Sequence, residues 1–172
     1  MSIIRKNLWI GAILFGLVMF VLGGFFVAKG ISTKAMITNA LAQEKVTAST
    51  DSDRFGGSVG APVVDAKTAQ AQADVIEYHS LNSSKGLRYS EMTRDDPARQ
   101  TYLNGLVLRN SLSMATMGFG IADFAVAVGA VLMVIGAAGI VLVAPSLYWL
   151  RQPEEVRVRG IVPQPVGAVA GK

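Results

Sequence analysis

The sequence predicts an all-α membrane protein, a two-span transmembrane helical hairpin whose helices extend into a mostly helical exterior loop domain. Hydrophobic residues make up 51% of the 172 residues and charged residues only 16%, against roughly 25% charged residues in soluble domains. The mean hydropathy is +0.42. The apolar excess is concentrated in residues 8–28 and 124–150, neither of which contains a charged side chain. Two membrane spans therefore account for the composition.

The first apolar stretch has the length of one bilayer crossing. A helix over residues 8–28 is about 31 Å long, which matches a hydrocarbon core of about 30 Å. Arg5 and Lys6 precede it, as in a signal peptide, but the apolar region of a signal peptide has only about 7–15 residues. We therefore expect an uncleaved signal anchor. Helical spacing of apolar residues from Ile31 predicts that this helix continues to about Lys45.

The segment between the two apolar stretches is predicted to be mostly helical. Residues 50–60 are rich in Asp, Ser and Gly, which indicates a turn. A helix is expected over residues 66–79, where apolar side chains recur on one face, and a loop over residues 83–86. The sequence has no cysteine, so packing rather than disulfide bonds must stabilise this segment.

The strongest local signal is the start of the next helix at Asp96 and Pro97. The acidic side chain can accept a free amide of the first turn, and proline has no amide to leave unpaired. No stronger breaker than glycine follows until Pro145. A helix from Pro97 to Ala144 would be about 72 Å long. It would extend well beyond a bilayer, so we expect the two long helices to emerge from the membrane together.

Two spans place both chain ends on one side of the membrane. Trp9, Tyr148 and Trp149 are predicted interface anchors at that side. Lys and Arg flank both sides equally, but the basic N-terminus and a loop longer than about 60 residues favour cytoplasmic tails. The predicted organisation is a cytoplasmic N-tail (1–7), transmembrane helix 1 (8–28), an exterior, mostly helical loop domain (29–117), transmembrane helix 2 (118–150) and a cytoplasmic Pro/Gly-rich tail (151–172).

The residues that catalysis would need are missing from the sequence. There is no cysteine and no Gly-rich phosphate loop, and His79 is the only histidine. Asp95 and Asp96 resemble a helix cap more than a pair of catalytic carboxylates, and His79 resembles a surface histidine more than a ligand. We therefore predict no catalytic, cofactor-binding or metal-binding residues and no enzyme activity. The net charge of +4 lies in the tails and forms no basic stripe, so no nucleic-acid partner is expected.

Small residues on the apolar helices predict packing surfaces, because small faces let helices approach closely in lipid. The first span offers Ala12 with Gly16 and Gly24 with Ala28 at four-residue spacing. These faces either pack against each other or bind a second protein. The predicted helix-packing or partner interface of the second span comprises Gly118, Ala122, Asp123, Ala125, Gly129 and Gly136.

Asp123 is the one ionisable residue predicted inside a span. At the bilayer centre such a residue costs about 2.5–3.5 kcal/mol, and it usually faces protein or water. Three explanations remain open at this point. Asp123 contacts Lys29 of the same chain, it receives a donor from a partner subunit, or it is hydrated at the membrane interface.

Part of the chain carries a family resemblance, in residues 71–76, Lys85, Tyr89, Glu91, 94–99, 108–112 and 119–120. Through these residues the chain resembles a family of small two-span membrane proteins from actinobacteria. Some members carry the label of an aromatic ring-opening dioxygenase. An iron site of the two-His-one-carboxylate type needs two imidazoles, whereas this sequence has one histidine. The resemblance therefore implies a hairpin topology and no reaction.

These observations predict a non-catalytic accessory or scaffold subunit of a larger complex, such as a respiratory or photosynthetic one, in the bacterial cytoplasmic (inner) membrane. Its partners would be lipid and other integral membrane subunits, contacted through helix packing and the C-terminal tail, with a homo-oligomer as the second possibility. One alternative is a homo-oligomeric channel or transport element, which needs a polar pore-lining face. Another is an envelope sensor that binds through the exterior helices, which needs a concave site.

Overall fold

The computed structural model describes the backbone of residues 2–150 and the side chains of residues 7–150. The predictions made for Arg5, Lys6 and the tail 151–172 concern side chains and residues outside that range. The described part of the chain is helical and contains no β-strand, only an isolated bridge between Thr47 and Pro62. The predicted all-α class is thereby confirmed.

Two of the helical stretches within residues 2–150 are long and apolar enough to cross a membrane, Asn7–Gln43 and Ala98–Trp149. In chain order the elements are α1 (Ser2–Gln43), a short 3-10 helix (Ser52–Phe55), α2 (Ala66–Ser83), α3 (Ala98–Ala138), a π-helical turn (Gly139–Val143) and α4 (Ala144–Trp149).

A strap of chain, residues 46–64, leads from α1 to α2. Its two ends pair with each other in an antiparallel manner. The Ala48 amide donates to the Ala61 carbonyl at 2.8 Å, and the Val63 amide donates to the Val46 carbonyl at 3.0 Å. Between these ends lies the 3-10 helix, in the region that the Asp, Ser and Gly residues predict to turn.

A side-chain capping box begins α2, and a backbone hydrogen bond from a glycine ends it. Asp65 precedes the helix and accepts the Thr68 amide at 2.8 Å, while the Thr68 hydroxyl accepts the Asp65 amide at 3.2 Å. This reciprocal capping box satisfies amides that have no partner within the helix. At the other end the Gly86 amide donates to the Leu81 carbonyl at 2.7 Å. Gly86 has a φ of 85°, a left-handed conformation that glycine adopts without strain.

The acidic residue of the Asp-Pro pair caps the start of α3. Asp96 Oδ1 accepts the Ala98 amide at 2.8 Å, and α3 begins at Ala98, one residue after Pro97. The far end departs from the predicted uninterrupted helix to Ala144, because the backbone widens into the π-helical turn after Ala138. Pro145 follows that turn and has no amide to donate, so the regular hydrogen-bond ladder cannot pass through it.

Within residues 2–150 the chain divides into two compact units, residues 2–20 with 134–150 and residues 21–133. In the described part of the first unit, the rings of Trp9 and Tyr148 meet edge to face with 5.7 Å between centroids. In the second unit a small hydrophobic core joins the strap, α2 and α3. Its buried members are Val63, Ala69, Ala73 and Leu112, with Leu41, Val46 and Ile76 packed around them.

Candidate functional site

Glycines bring α1 and α3 into backbone contact in the second unit. A Cβ placed on Gly23 would lie 2.5 Å from the Gly129 carbonyl oxygen, and one on Gly129 would lie 2.6 Å from the Gly23 oxygen. A Cβ on Gly30 would lie 2.7 Å from the Ala122 oxygen. These neighbours are backbone atoms, which cannot move aside as a flexible side chain can. Larger residues would therefore force the two helices apart.

Glycines also bring α1 and α3 into backbone contact in the first unit. A Cβ on Gly16 would lie 2.7 Å from the Gly136 carbonyl oxygen, and one on Gly136 would lie 2.5 Å from the Gly16 oxygen. The contact residues recur every seven positions, which returns to nearly the same helix face after two turns. They are Gly16, Gly23 and Gly30 on α1, and Ala122, Gly129 and Gly136 on α3, and all six are buried.

Some of the predicted small residues lie in the contact between α1 and α3, and others do not. On α3, Ala125 is half-buried, and a Cβ on Gly118 would meet only the tip of the Ile37 side chain. On α1, Gly24 has open space around its Cα and Ala28 is exposed. Of the residues that the four-residue spacing suggested on α1, Gly16 lies in the contact, whereas Gly24 and Ala28 do not, because the contact repeats at seven residues.

Asp123 forms an ion pair with Lys34. Their side chains are 61% and 41% exposed, respectively. Gly30 faces Ala122 across the helix contact, and Lys34 lies one turn beyond Gly30 on the same face. That register explains why Lys34 reaches the carboxylate. The Lys29 ammonium lies instead 5.8 Å from the centre of the Phe25 ring. The donor to Asp123 therefore comes from the same chain, but from Lys34 rather than Lys29.

The aromatic residues predicted as interface anchors differ in their surroundings. Trp9 packs against Tyr148, and its indole nitrogen is buried without a hydrogen-bond partner in the described part of the chain. Trp149 is exposed. Among residues 2–150, no group of three or more His, Cys, Asp or Glu residues is placed to hold a metal ion.

A groove of about 460 Å³, here called the strap groove, lies in the second unit between the strap, α2 and α3. Polar contacts hold the strap beside it. The Ser49 amide donates to Gln72 Oε1 at 3.1 Å, and His79 Nε2 lies 2.8 Å from Asp51 Oδ2. The lining residues are Ser49, Gln72, Val75, Ile76, His79, Ser80, Ser83, Thr101 and Gly105.

Gly105 allows α2 and α3 to approach each other at the strap groove. A Cβ at this position would collide with the Ser80 hydroxyl oxygen. The hydroxyl of Ser83, one turn along α2, donates to the Ser80 carbonyl at 2.9 Å. One end of the strap groove is therefore formed by a close helix crossing with serines on one side and glycine on the other.

Charged groups gather outside the lining of the strap groove. The Arg54 guanidinium lies 4.8 Å from the centre of the Tyr78 ring. Its hydrogen bond to the Tyr78 hydroxyl raises the pKa of Arg54. Hydrogen bonds from Asn82 and Arg54 lower the pKa of Tyr78. These interactions connect the 3-10 helix to α2 without placing a formal charge in the lining.

Glu77 joins α2 to two arginines. Its carboxylate accepts from Arg88 at 2.7 Å and pairs with Arg109 of α3 at 3.0 Å. The hydrogen bond to Glu77 raises the pKa of Arg88. Like the contacts of Arg54, this network stabilises the position of α2 and leaves the strap groove uncharged.

The strap groove was missed from sequence, although α2 carries a signal for it. Gln72, Ile76, His79 and Ser83 follow one another at spacings of four, three and four residues, which places them on one helix face. Polar residues on one face are ordinarily assigned to solvent. Only the strap and α3 make this face concave.

No protein-family model, curated protein or solved structure matches the chain. The resemblance to the actinobacterial two-span family stays a prediction, and the functional argument rests on the geometry described above.

Proposed function

We propose that this chain is a non-catalytic accessory or scaffold subunit of a larger membrane complex in the bacterial cytoplasmic membrane. Helices α1 and α3 to α4 would cross the bilayer as a hairpin, both termini would be cytoplasmic, and residues 29–117 would lie outside. One observation carries the proposal. The two long helices use small residues for their mutual contact and direct their large apolar side chains outward.

The outward apolar side chains form surfaces whose exposure to water is unfavourable. Leu14 and Phe15 of α1 are each 57% exposed, and Phe124 and Val134 of α3 are 71% and 68% exposed. Soluble monomers rarely expose continuous apolar patches of more than a few hundred Å². Lipid tails or the helices of other membrane subunits are the surroundings that suit such faces.

The polar groups near these faces favour a scaffold over a channel. Asp123 is paired with Lys34, and the Ser146 hydroxyl donates to the Leu142 carbonyl of its own helix at 2.6 Å. A pore needs a row of polar groups directed at passing ions or molecules. Both of these polar groups are engaged within the chain, which supports a packing role.

Co-purification from native membranes tests the scaffold role. We expect the affinity-tagged full chain, extracted at low detergent, to bring a stoichiometric integral membrane protein with it. Recovery of the chain alone would refute the hetero-complex. Recovery only with copies of itself would also refute it and would favour the homo-oligomeric alternative.

Tryptophan substitutions on the outward faces would locate the partner surface. Val134→Trp and Val131→Trp alter α3, whereas Leu14→Trp and Val21→Trp alter α1, and all four positions are exposed. A partner seated on one helix should be lost from only one of these pairs, and the other pair serves as the matched control. Equal retention of the partner in all four variants would exclude packing at these positions.

Cysteine labelling tests the hairpin topology. The chain has no native cysteine, so Ser58→Cys and Lys172→Cys each create a single reactive site. In intact cells a membrane-impermeant maleimide should label Ser58→Cys only, and permeabilised cells should show both. Labelling of both sites in intact cells would contradict the proposed topology.

A further inference from the structure

We propose that the strap groove binds an uncharged, mostly apolar small molecule that carries hydroxyl or carbonyl groups. This binding activity goes beyond the scaffold role and does not depend on it. The sensor alternative requires a concave site on the exterior helices, and the strap groove is such a site. Its size suits the proposed ligand, because small-molecule sites usually have volumes of about 300–1,000 Å³ and this one has about 460 Å³.

The lack of charged residues in the lining favours an uncharged ligand. Among the described residues, no Lys, Arg, Asp or Glu lines the strap groove. The one titratable group in the lining, His79, lies against the Asp51 carboxylate, so a protonated imidazole would be neutralised within the chain. An anion would find no unpaired cation among the lining residues, and a cation would find no carboxylate there. Burying either ion without a partner is costly.

Ser83 marks the polar end of the strap groove. It lines the groove and is exposed, and its own proton is bonded to the Ser80 carbonyl. Its hydroxyl oxygen can therefore accept a hydrogen bond from a ligand hydroxyl. Ser49 Oγ, in contrast, is buried and closed to the groove, although the amide of the same residue is bonded to Gln72.

The rest of the lining suits an apolar body. Val75 and Ile76 of α2 contribute aliphatic side chains, and Gly105 of α3 contributes no side chain. Ligand sites typically combine such an apolar lining with a few placed polar groups that orient the ligand. A ring or short chain bearing one or two oxygens fulfils both requirements. Hydroxyl and carbonyl oxygens would meet the serines, and the carbon skeleton would lie on α2.

The single histidine supplies a specific test. In the full chain, reconstituted in lipid nanodiscs with isotope-labelled histidine, every imidazole NMR signal comes from His79, which lines the groove. The probes are benzyl alcohol, p-cresol and benzamide, with benzoate and benzylamine as charged counterparts of similar size. We expect the neutral probes to shift the His79 signal in a saturable manner. The charged counterparts should leave it unchanged at equal concentration.

Three variants assign the shift to the strap groove. Ser83→Ala removes the accepting hydroxyl and should weaken binding about fivefold, the usual net effect of one hydrogen bond. Thr101→Phe fills the groove from its exposed rim and should abolish the shift. Val107→Phe adds the same ring to α3 at an exposed position outside the lining, and it should bind as the original chain does. Because Thr101 and Val107 are both exposed, neither variant requires the core to repack.

The outcomes separate this proposal from its alternatives. Absence of any saturable shift, or a shift that survives Thr101→Phe, would overturn it, the latter because the probe would then act through the lipid. A stronger response to benzoate than to benzamide would indicate an anion site and would overturn the charge argument. If the His79 NMR signal shifted only when a co-purified membrane partner was added, the groove would be a protein-binding surface, which would overturn the small-molecule proposal. The scaffold role is tested separately, because the NMR experiment needs no partner.

Discussion

The contact between α1 and α3 and the region around α2 are stabilised in different ways. Where α1 meets α3 at Gly23 and Gly129, the backbone of each helix packs closely against the backbone of the other. Around α2 the chain relies instead on a capping box at Asp65 and on hydrogen bonds from side chains such as Gln72. A small aliphatic core completes that region.

This difference follows from the solvent that each region suits. In lipid, burial of apolar surface between helices yields little free energy, so close van der Waals contact becomes important and small residues provide it. In water, burial of apolar side chains is favourable, and loops must find partners for their backbone amides. The two patterns of contact therefore support the proposed division between membrane-spanning and exterior segments.

The largest expected effect comes from the aliphatic core around α2. Leu112 is 5% exposed, and Leu112→Ala should lower the free energy of unfolding by about 2–5 kcal/mol, through lost burial and a residual cavity. Leu108→Ala on the same helix is the control, because Leu108 is 49% exposed. Hydrogen exchange of α2 amides in nanodiscs would measure the difference. Equal protection in the two variants would show that Leu112 does not support α2.

The next effect tests the backbone contact of the long helices. Gly136→Ala should destabilise the first unit by about 1–3 kcal/mol, because the added Cβ forces backbone atoms apart. At Gly120 nothing lies within 4 Å of an added Cβ, so Gly120→Ala should be neutral or stabilising, since alanine favours helix over glycine. In a Trp149→Phe background, which removes the second tryptophan, unfolding in SDS can be followed by the fluorescence of Trp9, which contacts Tyr148 in the same unit. Equal midpoints would contradict a tight contact at Gly136.

A smaller effect is expected from the cap of α2. Asp65→Ala should cost about 1 kcal/mol, as N-cap removal usually does. The hydrogen bond from the Thr68 amide lowers the pKa of Asp65 below its ordinary value of 3.8. The cap's contribution should therefore be complete above pH 3.8 and be lost as the pH falls through the lowered pKa of the folded protein.

Asp65→Asn is the matched variant for the pH experiment. Asparagine caps helices about as well as aspartate but does not titrate. Amide exchange in the first turn of α2, measured across the acidic range, should respond to pH more strongly in the original chain than in Asp65→Asn. A larger response in Asp65→Asn would contradict the assigned sign.

The smallest effect is expected at the ion pair between Lys34 and Asp123. Both side chains are substantially exposed, and exposed pairs contribute about 0–1 kcal/mol. Asp123→Asn should therefore change the midpoint of SDS unfolding only slightly, and added salt should reduce the difference further. A loss of several kcal/mol would show that Asp123 is far less hydrated than its exposure indicates.

Local features of single helices could be predicted from the sequence because their causes lie within a few residues. The two apolar helices follow from uncharged stretches longer than a bilayer crossing requires. Asp96 caps α3 because an acidic side chain before proline can reach a free amide. The π-helical turn before Pro145 was not predicted, since proline dictates a disturbance of the helix but not its form.

Interactions between helices were decided only by the tertiary structure. Periodicity identifies one face of one helix, but the register between two helices depends on how both surfaces fit together. That register placed Gly23 rather than Gly24 in the contact and Lys34 rather than Lys29 beside Asp123. The strap groove likewise requires three segments distant in sequence. The sequence by itself determined the helices and their apolar character, and the packing of those helices determined which residues meet.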